Sequence, residues 1–245
     1  MGSRPSPEDP RDWALHKIGV ASGSIPERVN NDKLVGFVTD QSITSSCVGQ
    51  GTARAWYTRA LLQGDSLVKY PSPLAIYAEA RAAELGQQDA PLLDQGSYPR
   101  LGLKAASALG VVPMERWADI GDINTRPPWE ILRESTDSRG VRFARVESTY
   151  QMRVALAAGH PLVVAFDVDV SFEDYRGGAW TGMRGHALGG HCTCLIGYEP
   201  GKFRGVNSWG SGWGENGLYW IADMATLGME AWAVELVTTD TPGIA

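Results

Sequence analysis

Asp40-Gln41-Ser42-Ile43-Thr44-Ser45-Ser46-Cys47-Val48-Gly49-Gln50 is a short polar loop that ends at a cysteine. Ala53, Trp56 and Ala60 follow at helical spacing, which predicts a helix from Cys47 to about Leu62. Cys47 then stands at the helix N-terminus, where unpaired N–H groups and a partial positive charge favour an anion. A thiolate is stabilised there, and the thiolate is the nucleophilic form of cysteine. Gln41 lies six residues upstream, where a folded-back loop brings its amide beside the sulfur as an oxyanion donor. The bland alternative is a small buried hydrophobe. A base and something to orient it must come from elsewhere in the chain.

Four histidines are candidates. His16, in an N-terminal arm, and His160, before a proline in a turn, read as surface or turn residues, and His186 as an ordinary loop histidine. His191 opens a strand after Gly189-Gly190. Alternation on that strand places His191 and Thr193 on one face and Cys192 and Cys194 on the other. His191 can face a cleft while the two cysteines face away, and ligands split between faces do not converge on a metal. Asn207, sixteen residues on, can accept the second imidazole N–H, with Trp209 shielding that bond from water.

The chain has 245 residues, 43% hydrophobic and 20% charged, enough for one large domain or two small ones sharing a core. A net charge of -6 shows no basic footprint for nucleic acid or anionic membrane. Three cysteines, two of them adjacent but one, do not make a disulfide framework. The first residues lack a signal peptide's apolar segment, and the run Leu162–Phe166 is too short to span a bilayer. Residues 1–24, rich in Pro, Ser, Asp and Arg, read as an extended arm. Leu34–Val38 reads as a strand, Ser72-Pro73 as a helix start and Arg100–Leu109 as a helix stopped at Gly110. Asp94-Gln95-Gly96 reads as a turn, and residues 113–140 as irregular chain with a helical turn at Trp129–Arg133. After Val141–Val146 and a helix opened by Ser148, the signals are strands: Leu162–Val168, His191–Tyr198, Phe203–Ser208, Gly217–Ile221 and Ala231–Leu236. The first half is helical and the second β, with a boundary near residue 140.

The order Gln, Cys, His, Asn with these flanks resembles the papain-like cysteine peptidases. The matching pieces are Asp40-Gln41 with Cys47, Gly190-His191 with Leu195-Ile196-Gly197-Tyr198, and Asn207-Ser208-Trp209-Gly210 with Gly212-Trp213-Gly214-Glu215. The resemblance implies an α+β, two-lobed fold over residues 25–236. Its helical lobe is about 45–140 and its antiparallel, barrel-like β lobe about 141–236, with 25–40 packed on the β lobe and a cleft between. Residues 1–24 are an extension and 237–245 a tail. It assigns Cys47 as nucleophile, His191 as base and acid, Asn207 as orienter, and Gln41 with the Cys47 N–H as oxyanion hole. Gly96-Ser97-Tyr98 is similar to the family's substrate loop, with Gly190, Cys192 and Trp209 bordering the pocket. No cofactor or metal is implied.

Ser45, Val48 and Ser97 depart from the family pattern. Residues 1–24 are too short for the helical inhibitory prosegment, as in compact members from bacteria and their viruses. The expected activity is peptide-bond hydrolysis on a peptide or protein substrate, in an intracellular or virion-associated setting. The alternatives are an inactive structural or binding component of a larger assembly, and an amidase or cell-wall peptide hydrolase.

Overall fold

The computed structural model describes residues 1–20, 23–86, 92–118, 123–133 and 140–237. Helix α1 begins on Cys47 and ends on Leu62. Its first turns carry glycine because neighbours lie too close for side chains. A Cβ on Gly49 would meet the Pro73 carbonyl oxygen at 2.1 Å, and one on Gly51 the Thr193 carbonyl oxygen at 2.9 Å. So α1 lies directly on α2 (Pro73–Leu85) and on strand β4 (Gly189–Glu199). Ser72 caps α2 by accepting the Ala75 N–H at 3.0 Å, and Gly86 closes it in the left-handed conformation. Helix α3 (Pro99–Leu109) stops at Gly110, and α4 is the single turn Trp129–Leu132.

Leu34–Val38 is not a strand. Asp32–Leu34 forms a 3-10 turn, and Gly36 has φ +63°, which breaks an extended run. The backbone is held from the side instead: the buried Arg54 guanidinium donates to the Val35 and Phe37 carbonyls. Asn31 and Asp32 bind β4 and β5 through the Ile196 carbonyl and Arg204.

The second half of the chain builds one sheet of seven strands: β1 (Gly140–Val146), β2 (Leu162–Val168), β3 (Ala179–Trp180), β4, β5 (Lys202–Val206), β6 (Leu218–Ala222) and β7 (Glu230–Val237). Their order is β1-β7-β2-β4-β5-β6-β3, antiparallel except for the β3–β6 pair. Helix α5 (Thr149–Ala157) starts at Ser148, whose hydroxyl accepts the Gln151 N–H. The turn α6 (Val170–Glu173) and strand β3 carry too few residues for a periodic signal. The architecture is α+β, helices first and sheet second.

Both faces of the sheet are buried. One packs Tyr219 and its sheet neighbours on α5, Phe172 and Trp213; the other packs Cys192, Cys194 and Trp232 against Cys47, Trp56 and Leu103 of the helical lobe. The N-terminal residues are not a loose arm. Leu15, Ile18 and Val20 enter the first cluster. Arg100 of α3 pairs with Asp12 at 3.1 Å, and the Ser6 N–H donates to Glu230 at 2.7 Å. His160 is also buried, beside Glu235 and the Val234 carbonyl, rather than at the surface; His16 and His186 are exposed. Residues 238–245, the greater part of the expected tail, lie outside the described residues.

Candidate active site

Cys47 at the tip of α1 faces the start of β4. Its thiol is fully buried, and burial raises its pKa. The backbone N–H groups of Cys192, Gly2 and Val48 and the Met1 amino group favour the anion and oppose that rise without overcoming it. The expected thiolate is therefore a neutral thiol in this conformation: removal from water outweighs the helix terminus.

The loop before Cys47 is fixed by buried polar bonds. Gln41 donates from Nε2 to the Thr44 carbonyl (2.8 Å) and accepts from Ser208 Oγ (2.7 Å). A carbonyl can only accept, so Nε2 is the amide nitrogen, and it has a second hydrogen to offer. The Asp94 carboxylate accepts the Ser45 N–H (3.0 Å) and the Tyr77 hydroxyl (2.8 Å), and Tyr77 Oη accepts the Gly96 N–H (2.8 Å). This chain ties the cysteine loop to the loop at 96–98. The Asp94-Gln95-Gly96 sequence announces only a turn, since its tertiary partners lie 17 and 49 residues away.

His191 and Asn207 meet as the spacing predicts: Nε2 to Oδ1 is 2.7 Å. The same Oδ1 accepts the Ser208 N–H at 2.8 Å, so it is the oxygen, and His191 Nε2 carries the hydrogen. In the neutral ring Nδ1 then holds the lone pair; it is buried and without a hydrogen-bond partner. No hydrogen bond joins it to Cys47. Trp209 stacks on the imidazole at 4.6 Å, and Phe172 packs edge-on against Trp209 at 5.7 Å. Burial pushes the His191 pKa down to about 4, against the Asn207 bond, which raises it.

The alternation read from the strand holds, with one correction. Cys192 and Cys194 pack towards α1, in the cluster that holds Cys47, while Thr193 bonds the Tyr219 hydroxyl on the other side. The Cys192 side chain is fully buried under α1 and does not border a pocket. Among the described residues no group of three or more His, Cys, Asp or Glu side chains is placed to hold a metal, and no helix is long and apolar enough to cross a membrane.

The chain's own first residues fill the cleft. The Ser3 N–H donates to the Gly190 carbonyl (3.0 Å), the Ser97 N–H to the Gly2 carbonyl (2.8 Å), and the Arg4 N–H to the Ser97 carbonyl (3.0 Å). Ser3 thus pairs antiparallel with Gly190 and parallel with Ser97. Contact is backbone on backbone: a Cβ on Gly96 would stand 2.0 Å from the Gly2 carbonyl oxygen. Met1 lies at Gly189, beside His191, and Arg4 lies over Tyr98. Composition showed an arm; nothing in it showed where the arm ends up.

A model of the papain family of cysteine proteases matches residues 130–235, which contain His191 and Asn207. A mimivirus protein of Acanthamoeba polyphaga described as "Uncharacterized peptidase C1-like protein L477" is 28% identical over 221 residues, 81% of this chain and 70% of that one. Among solved structures, xylellain, a cysteine protease from Xylella fastidiosa, superposes with a TM-score of 0.78 at 23% identity, covering 97% of this chain and 96% of that one. Procathepsin B S9 from Trypanosoma congolense gives 0.75 at 15%, covering 98% and 87%. At such identities the structural matches speak to the fold.

Proposed function

Because the chain belongs to the papain-like cysteine peptidases, we propose that it hydrolyses peptide bonds through Cys47 and His191. The observation that carries this is the 2.7 Å bond from His191 Nε2–H to Asn207 Oδ1, with the unpartnered Nδ1 lone pair left for a proton. Once water enters the cleft, the desolvation that holds both groups neutral is relieved, and the thiol proton can pass to Nδ1. The sulfur adds to the substrate carbonyl. The second Gln41 Nε2–H and the Cys47 N–H stabilise the oxyanion. Protonated His191 gives its proton to the nitrogen as the C–N bond breaks, leaving a thioester. His191 then takes a proton from water as water attacks the thioester, and the thiol is restored.

The chain filling the cleft has opposite polarity to a cleavable one. His191 must reach the leaving amine, so the amine half of a substrate lies on the Met1 side and the acyl half runs over Ser97. The first residues run from the His191 side towards Arg4, so their carbonyl groups face the wrong way for acyl transfer. Activity therefore requires that Met1–Arg4 move aside.

The test is alkylation by iodoacetamide together with a peptide library. Cys47 should react faster than Cys192 or Cys194, the His191→Ala protein should lose that excess, and cleavage should vanish in Cys47→Ser. A protein that cuts no peptide even after removal of its first residues would exclude the peptidase reading. The filled cleft favours one second reading, a binding module that keeps the shape without the chemistry. There Cys47→Ala would leave the biological function intact.

A further inference from the structure

We propose that Glu84, Tyr98 and the Gly96 carbonyl form an arginine-recognising subsite of the cleft, which selects peptides with an arginine on the acyl side of the bond to be cut. Its role in substrate choice rests on the peptidase reading above; its recognition of a guanidinium does not.

The site holds such a group now. Arg4 donates from Nη1 to Glu84 Oε1 (2.9 Å) and from Nη2 to Glu84 Oε2 (2.6 Å), a two-pronged pair. Nη1 also reaches Tyr98 Oη at 3.2 Å, and Nη2 the Gly96 carbonyl at 3.3 Å. The guanidinium carbon lies 4.3 Å above the Tyr98 ring. Both terminal nitrogens and the face of the planar ion are met, with only Nε left without a partner, a match that the point charge of lysine cannot reproduce. Glu84 stands in the last turn of α2, where no basic residue balances the negative end of the helix, and that end adds its field to the carboxylate. The pair is part-exposed, so its charge alone is worth little; the ring and the fork supply the selectivity.

The subsite is in line with the backbone slot. The Arg4 N–H bonds the Ser97 carbonyl, while Gly2, two residues earlier, lies against the Ser45 carbonyl of the loop that carries Cys47. A peptide running in the cleavable direction enters the slot from the Glu84 end. Its side chain at Glu84 is then two or three residues before the scissile bond. Arg4 keeps that position filled while the slot is closed.

Binding and cleavage are read separately on the full chain. In the Arg4→Ala/Cys47→Ser protein, N-acetyl-Arg-Gly-Gly-amide is titrated by calorimetry against its citrulline counterpart, which keeps the shape and lacks the charge. The arginine peptide should bind about tenfold tighter, and Glu84→Gln on that background should erase the difference. Equal affinities, no binding of either peptide, or a preference that survives Glu84→Gln would overturn the subsite. In Arg4→Ala with Cys47 intact, cleavage of longer peptides bearing the same two residues should show the same preference. A protein that binds arginine selectively but cuts nothing, even after removal of Met1–Arg4, keeps the subsite and loses the peptidase reading. One that cuts both peptides equally does the reverse.

Discussion

Gly2 rests on Ser45: a Cβ built on Gly2 would stand 2.0 Å from the Ser45 carbonyl oxygen. No residue but glycine fits between the N-terminal strand and the loop that carries Cys47. Gly2→Val is expected to lift the strand away, and iodoacetamide should then label Cys47 at least about tenfold faster. Equal rates in mutant and wild type would mean that these residues are not what shields the sulfur.

Asn207 Oδ1 holds the His191 Nε2–H at 2.7 Å, which in the proposed mechanism makes it a positioning residue. Asn207→Ala removes a hydrogen bond that strengthens when the ring is charged. A fall in kcat/KM of roughly 10- to 100-fold is expected, with KM little changed. A drop confined to KM would point to a role in holding substrate instead.

The closed cleft should loosen in acid. His191 sits near pKa 4 because burial lowers it, the Asn207 bond raises it and the Met1 amino group lowers it further. A hydrated imidazole titrates near 6.5. Between those values the open state binds a proton that the closed state does not, so the closed state loses stability as pH falls from about 6.5 to about 4; below that the loss levels off. Hydrogen exchange at the Ser3 and Arg4 amides reports the opening. After correction for intrinsic rates, protection should fall by about tenfold or more between pH 6.5 and 4.5. Flat protection across that range would show that opening does not hydrate His191.

Asp94 braces two loops at once. Asp94→Ala leaves the Ser45 N–H and the Tyr77 hydroxyl without their acceptor and should cost about 1–3 kcal/mol in urea unfolding. If Cys47 is the nucleophile as proposed, cleavage should fall as well, because Ser45 lies two residues before it. Full activity at reduced stability would confine Asp94 to a structural part.

Val48, the residue after Cys47, departs from the family pattern and is packed tightly. A Cβ on Gly102 would come within 2.7 Å of Val48 Cγ1, so α3 presses directly on Val48. Val48→Trp should overpack this contact and cost about 1–3 kcal/mol in the same urea measurement. An unchanged midpoint would mean the lobe has slack there.

Much of this was legible in the chain. The Cys47 helix, the His191 strand and the Asn207 spacing are local patterns: a helical repeat, a strand alternation and a fixed separation. Other features were not, three of them at or near the site. Leu34–Val38 has strand-like residues, but its carbonyls are claimed by Arg54 from another element. The ionisation of Cys47 followed from the helix tip alone, whereas its complete burial decides it. The same alternation that separated His191 from Cys192 did not say which face meets α1; that is set by the packing of Gly51 on β4. Each miss is a tertiary contact overriding a local preference.

Ser3 is bonded to Gly190 on β4, and its two neighbours are bonded to Ser97 in the loop that leads into α3. The first residues thus act as a seam, stitched to the sheet along one edge and to the helices along the other. Any peptide that replaces them meets the same two rows of donors and acceptors. Ligand occupancy and the cohesion of the two halves therefore rise and fall together, and a bound peptide should register as a higher melting temperature of the whole molecule.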